Sequence, residues 1–292
     1  AAAAAPFEAS AAVERGNAAM NAGRNADAVE LYDRAEKLGY DKFPLYANRG
    51  FIHMQENRFS AAVVDLKRAV ELRPEDLHQR SIVASVLVNL DRKQEAREVL
   101  EAVIAAEPAD VRTLIRVARV LHALGDLDRA RPILDGIKGR TGSAVDQRNL
   151  HALIGDIALE EGRADAAVEA YDAAQAAGAT HWTFSYNRAR AKLAREDYEG
   201  SERDARLALK RRPDLAHLRA VLALSLAKLG KTDDALTELH AVLAVQRDAW
   251  ATFYAARACE ALDDRSRAAD LLEELRAKPG LPRALLRQLT DS

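Results

Sequence analysis

The chain has 292 residues, 49% of them hydrophobic and 30% charged, an ordinary globular composition with enough apolar material for one large or two medium domains. Its 43 basic and 45 acidic side chains nearly cancel, which argues against the overall basicity that grips nucleic acid through its phosphates. One cysteine, Cys259, excludes an intramolecular disulfide and leaves too few ligands for a cysteine-based zinc site, and without a run of eighteen uncharged apolar residues no membrane span is expected.

Residues 1–8 read as a short N-terminal tail, and the start at Ala1 to Ala5 without an initiator methionine reads as trimmed. From residue 9 the sequence repeats with a period of 34. When "RGNAAMNAGRNADAVELYDRA" is set beside "RGFIHMQENRFSAAVVDLKRA", Gly16 falls on Gly50, Ala28 on Ala62, Tyr32 on Leu66 and Ala35 on Ala69. The same step leads to Ala84, Ala118, Gly155, Ala189, Ala223 and Ala256, with three extra residues before Gly155 and one fewer before Ala256. A second small residue stands four before a large apolar one in Ala96 with Leu100, Ala130 with Leu134, Ala167 with Tyr171, Ala235 with Leu239 and Ala268 with Leu272, and only Ser201 with Ala205 is degenerate. Apolar positions recur at i, i+3, i+4 and i+7 and period-two alternation never persists, so the predicted class is all-α. Small residues at this spacing let two antiparallel helices cross closely, and each pair buries its apolar stripe against the next.

Repeats 1 to 4 are expected over residues 9–135 and repeats 5 to 8 over 148–282. Pro132, inside the second helix of the fourth repeat, removes a backbone donor and predicts a bend. The glycine-rich stretch "GIKGRTGSAVDQ", residues 136–147, predicts a longer connection with some freedom between the halves. Residues 283–292, entered through Pro282, read as a C-terminal capping helix. Prolines 74, 108 and 213 close repeats, where a ring that cannot continue a helix is tolerated.

These A-x-x-x-large and terminal proline places resemble the pattern of the tetratricopeptide repeat (TPR) family. The resemblance implies a right-handed superhelical solenoid of about eight helix-turn-helix repeats, whose first helices line a concave groove that carries ligand contacts. On that face the fourth repeat offers Arg112, Arg116 and Arg119 at i, i+4 and i+7, and later repeats offer Tyr186, Asn187 and Arg190, then Trp250, Phe253, Tyr254 and Arg257. Three like charges on one helix face are unfavourable, and an anionic partner relieves them. Alternatively Asp126, Asp128 or Asp135 neutralise them from neighbouring helices. Asn17 and Asn48 stand where two asparagines of the chaperone-binding TPR clamps stand, with Phe51 on the same face, and are expected either to hydrogen-bond a peptide backbone or to be plain surface polar residues. The basic clamp places fall at Val13, His78 and Ile82, so chaperone-tail binding is not expected.

The seven histidines are dispersed, no phosphate-binding or dinucleotide fingerprint occurs, and Cys259 lies at an apolar helical place. The expectation is therefore a non-enzymatic scaffold without metal or cofactor that binds a protein or peptide, including acidic or C-terminal segments. The Ala-rich repeats resemble periplasmic TPR regions of bacterial exopolysaccharide-secretion and outer-membrane adsorption proteins, which implies a periplasmic envelope assembly. Cytoplasmic placement is the alternative. A second functional class, an anionic polysaccharide-binding module, has Trp250, Tyr254 and Tyr186 stack on sugars while arginines meet uronates.

Overall fold

The computed structural model describes residues 5–140 and 142–290. Among them stand seventeen helices and no strand. The chain divides into two compact units, residues 1–141 and 142–292. In the first unit the helices are α1 (Ala5–Asn21), α2 (Asn25–Lys37), α3 (Phe43–Gln55), α4 (Phe59–Leu72), α5 (Leu77–Asn89), α6 (Lys93–Ala105), α7 (Val111–Ala123) and α8 (Leu127–Ile137). The second holds α9 (Ala144–Glu160), α10 (Ala164–Ala176), α11 (Trp182–Ala194), α12 (Tyr198–Leu209), α13 (Ala216–Lys228), α14 (Thr232–Leu243), α15 (Ala249–Ala261), α16 (Arg265–Arg276) and α17 (Arg283–Thr290). Odd-numbered helices up to α15 are the first helices of eight hairpins, and even-numbered ones are the second.

The small-residue ladder sits at the crossings. Ala28, Ala62, Ala96, Ala130, Ala167 and Ala235 are fully buried, as are Ala84, Ala118, Ala189, Ala223 and Ala256. At Gly155 an added Cβ would lie 2.7 Å from the Tyr171 ring, and at Gly50 2.9 Å from Leu66, so the first helix of these repeats rests directly on the large residue of the second. The degenerate sixth repeat has its own device: the Ser201 hydroxyl donates to the Ala189 carbonyl at 2.9 Å and meets Ser225 Oγ at 2.8 Å, which satisfies a buried polar pair.

Every hairpin turn uses one residue with positive φ: Gly23, Asn57, Asp91, Gly125, Gly162, Glu196, Gly230 and Asp263. The amide of the following residue then closes a bond back to the first helix, from Arg24 to the Ala19 carbonyl through to Asp264 and Cys259, at 2.8–3.0 Å in all eight. This is the Schellman closure, which satisfies carbonyls a helix end would otherwise strand. Half of these positions carry a side chain, so the turn is held by packing on either side and not by glycine alone.

Three boundaries differ from the sequence reading. Helix α1 already begins at Ala5, because Ala9 and Ala12 bury against the first core and pull the preceding turn into the helix. Helix α9 begins at Ala144, since Ser143 and Asp146 form a capping box that starts it well before residue 148. The connection is thereby shortened, and Thr141 within it lies outside the described residues. Helix α8 carries Pro132 inside it and continues two residues past the expected end at 135, to Ile137. Helix α17 is entered through Pro282, whose carbonyl accepts from Leu285 and Leu286 at 2.9 and 3.0 Å, and Leu285 is fully buried in the core of the second unit. Residues 291 and 292 of the expected capping helix lie outside the described residues.

Candidate functional site: the first-helix faces of the two units

The two units carry the same polar scaffold at equivalent places. In the first, the Asn17 side-chain oxygen accepts from Tyr32 Oη at 2.7 Å and from Asn48 Nδ2 at 2.8 Å. In the second, Asp156 accepts from Tyr171 Oη at 2.7 Å and Asn187 Nδ2 at 3.0 Å. Asn17, Asn48 and Asn187 thus bridge neighbouring repeats, and the acceptor oxygen of Asn17 is already used. Burial, then Asp156, raises the Tyr171 hydroxyl well above its ordinary pKa. It remains a donor at neutral pH.

Beside each bridge lies a buried arginine hub. Arg49 grips Asp65 with Nε and Nη2 at 2.9 and 2.8 Å, while Nη1 reaches Asp33 at 2.6 Å and Glu36 at 2.8 Å. Arg188 grips Asp204 at 2.7 and 2.5 Å, and its Nη1 reaches Asp172 at 2.9 Å and also Gln175. Burial alone would lower the pKa of both arginines; the carboxylates outweigh it and hold them charged. Each hub ties two consecutive second helices, α2 and α4 or α10 and α12, to the first helix between them. Sequence reading missed it because its members lie 13 to 16 residues apart on separate helices. The same spacing recurring in both halves was the available signal.

The open face of α7 carries the arginine trio. Arg116 is half-buried, its Nε has no hydrogen-bond partner, and no carboxylate pairs with it among the described residues. Burial first, then Arg119 and Arg112, push its pKa below the ordinary value. Asp126, one candidate neutraliser, contacts Arg129 instead, at 3.5 Å. Arg112 and Arg119 have interactions of their own. His78 lies beside the trio with Nδ1 3.3 Å from Thr113 Oγ1, and burial, then Arg116, lower its pKa, so it stays neutral at pH 7. Val13, at another clamp place, is 4% exposed and belongs to the core. Phe51 on α3 is 47% exposed.

The equivalent strip in the second unit is knitted to itself. Arg190 Cζ stands 3.9 Å from the Trp250 ring centroid and 5.4 Å from that of Tyr186, and Nε donates to Tyr254 Oη at 3.1 Å. Trp250 stacks on Tyr254 with centroids 5.8 Å apart and planes at 19°. Arg257 pairs with Glu260 at 2.8 Å. The expectation that Tyr186 and Tyr254 present free stacking faces is therefore corrected: they are 7% and 4% exposed. Covering rings with a guanidinium buries apolar area and satisfies the cation together, so these groups meet each other before they meet a sugar. A cleft of about 460 Å³ opens beside this strip, lined among others by Arg190, Tyr198, Lys228, Tyr254, Arg257 and Gln288.

Among the described residues no group of three or more histidine, cysteine or acidic side chains could hold a metal ion, and no helix is long and apolar enough to cross a membrane. Cys259 is buried, and burial pushes its thiol up to about 11, far from a nucleophile's range.

Comparison with known proteins agrees with this architecture. The chain resembles a tetratricopeptide repeat protein from Parabacteroides merdae ATCC 43184, with a TM-score of 0.56 and 14% identity over 85% of this chain and 97% of that one. It also resembles a chain of the APC/C hetero-tetramer Cut9-Hcn1, with a TM-score of 0.64 and 17% identity over 91% of this chain and 52% of that one. Pseudomonas aeruginosa pilF gives a TM-score of 0.52 and 16% identity over 85% and 97%. At such identities these likenesses show the fold alone. The tetratricopeptide repeat family matches by sequence at residues 1–47, 43–76, 91–156, 152–217 and 221–282. With that match over most of its length, an all-α stack of helical hairpins and small residues at every crossing, the chain belongs to the tetratricopeptide repeat family.

Proposed function

We propose that this chain is a non-enzymatic scaffold that holds protein or peptide partners along the open faces of its first helices. The observation that carries this reading is Arg116, a half-buried guanidinium with a buried, unpartnered Nε between two further arginines. Leaving such a donor unmade is costly, and a carboxylate from a partner's acidic segment or C-terminus supplies the acceptor and offsets the like charges. The partner-facing residues are Phe51, Arg112, Arg116 and Arg119 in the first unit and Arg257 with the exposed edge of Trp250 in the second, with Asn17, Asn48, Asn187, Tyr186, Arg190 and Tyr254 as the frame behind them. The scaffold works within a bacterial envelope assembly such as exopolysaccharide secretion. Its support is the alanine-rich repeat texture and the single cysteine, and cell fractionation for a periplasmic pool tests it.

The test of the binding face is an affinity pull-down from the source organism with the wild-type chain beside an Arg112, Arg116, Arg119 triple alanine variant. The expected outcome is loss of a defined partner set from the variant; equal recovery removes the face. The anionic polysaccharide reading is weakened by Arg190 covering Trp250. Titration with oligouronates is expected to leave tryptophan fluorescence unchanged.

A further inference from the structure

Compared position by position, the two units have exchanged the chemistry of their groove faces. Phe51 and Arg190 are each the ninth residue of their helices, α3 and α11. Arg112, Arg116 and Arg119 are the second, sixth and ninth residues of α7, the places that Trp250, Tyr254 and Arg257 hold on α15. The N-caps Asp110 and Asp248 fix that register, each accepting the amide three residues on, at 2.8 and 2.7 Å. In the second unit a cation on α11 therefore meets two rings on α15 and is satisfied. The first unit puts the ring on α3 and the cations on α7, and leaves both ends unsatisfied: Phe51 is 47% exposed and Arg116 Nε is orphaned. His53 Nδ1, Gln79 Nε2 and Arg80 Nε are three further buried polar atoms without partners in this unit, against Tyr186 Oη and Arg247 Nε in the second, where the guanidinium of Arg190 itself is satisfied.

We infer that the first unit is the open half of the pair and takes an extended acidic peptide carrying an aromatic side chain, with the carboxylate on Arg116 and the ring against Phe51. The inference rests on the scaffold reading and narrows it to a ligand class and a place. Charge complementarity selects the acid: Arg116 is flanked by two cations, and His78 beside it is neutral. The second unit shows what a satisfied guanidinium looks like in this frame, with a ring face at 3.9 Å and an oxygen at 3.1 Å. A ligand that brings ring and oxygen together reproduces both contacts. The open ring of Phe51 makes an aromatic residue better than an aliphatic one.

The test uses the full chain and blocked ten-residue peptides, measured by calorimetry. One alternates Glu and Tyr, one Glu and Ala, one Gln and Tyr. The Glu/Tyr peptide is expected to bind more tightly than either control. Arg116→Gln weakens both acidic peptides by about tenfold, the worth of one charge-assisted hydrogen bond. Phe51→Ala weakens the two Tyr-bearing peptides by roughly threefold to tenfold, the worth of one aromatic pair, and leaves the Glu/Ala peptide unchanged. Lys210→Gln, at the exposed end of α12 in the second unit and away from the first-helix faces, leaves all three unchanged. Both groove variants retain the wild-type melting temperature to within a few degrees, which separates lost contact from lost fold. Equal binding of the Glu/Ala and Glu/Tyr peptides, indifference to Phe51→Ala, or tighter binding of an oligouronate than of the Glu/Tyr peptide would each overturn the ligand class. If no peptide binds while the pull-down partners still depend on the arginine trio, this inference fails and the scaffold reading stands.

Discussion

The two units share one frame and differ in how the frame's open face is closed. Asn17, Tyr32, Asn48 and the Arg49 hub of the first reappear as Asp156, Tyr171, Asn187 and the Arg188 hub of the second, with nearly the same distances. Even the edge contacts recur, with Arg73 over Phe43 at 4.2 Å and Arg212 over Trp182 at 5.6 Å. What changes is the groove face, where the second unit satisfies its cation with its own rings and the first does not. The difference teaches that the buried polar frame sets the fold of a unit, while the exposed positions are free to be spent on self-closure or on a partner.

The largest effects should come from the hubs. Asp65→Ala leaves Nε and Nη2 of the buried Arg49 without their acceptor while Asp33 and Glu36 still hold Nη1, and is expected to cost about 3 kcal/mol in denaturant unfolding, the low end for a broken buried pair. Asp204→Ala should cost more, because Asp204 also holds Lys192 at 2.8 Å, whereas the side chain at the equivalent place beside Asp65 is His53, 3.7 Å away with its pKa lowered by burial. Equal costs, or costs below about 1 kcal/mol for both, would break the equivalence of the hubs.

Next come the crossings. Gly155→Ala should destabilise by roughly 1–3 kcal/mol, since its Cβ meets the rigid Tyr171 ring at 2.7 Å. Gly50→Ala should cost less, because Leu66 is the near neighbour and can change rotamer. A reversed order in thermal melts would mean that the backbone, and not the side chain, yields at these contacts.

A smaller effect separates the groove faces. Arg190→Ala should cost about 0.5–2 kcal/mol and shift the emission of Trp250, the range of a partly desolvated cation-π contact. Phe51→Ala, at an exposed place, should stay within about 0.5 kcal/mol of wild type. If Phe51→Ala proved the more costly, the first unit would be as closed as the second.

The mildest test is pH. Burial lowers the pKa of both His53 and His78 in the first unit, so the unfolded chain binds more protons than the folded one between their folded values and the ordinary 6.5. Stability from these two groups is complete above about pH 6.5 and is lost as pH falls through their folded values. Melting temperature should decline over that window before the carboxylates titrate, and His53→Gln with His78→Gln should flatten the decline. The second unit has Lys192 at the place of His53 and should contribute less to it.

The fold was largely legible. Small residues every 34 positions, read with the large residue one turn later, located the crossings, because close helix packing admits few alternatives to alanine or glycine. Turns were legible only where glycine marked them: Asn57, Asp91, Glu196 and Asp263 take the same left-handed backbone without that signal. The ends of α1 and α9 were misplaced by a few residues, since a helix extends as far as a cap and a buried face allow and the repeat period says nothing of either.

The sequence by itself determined the all-α class, the register of the hairpins and which residues share a first-helix face, because these follow from helical periodicity and local sterics. It also placed rings and arginines together on that face. Only the tertiary structure decided whether those groups look outward or at one another. Arg190 and Trp250 lie 60 positions apart on different hairpins, and their meeting at 3.9 Å depends on how the three helices between them, α12, α13 and α14, stack. The same holds for the arginine hubs, whose carboxylates come from helices that only packing brings within 3 Å.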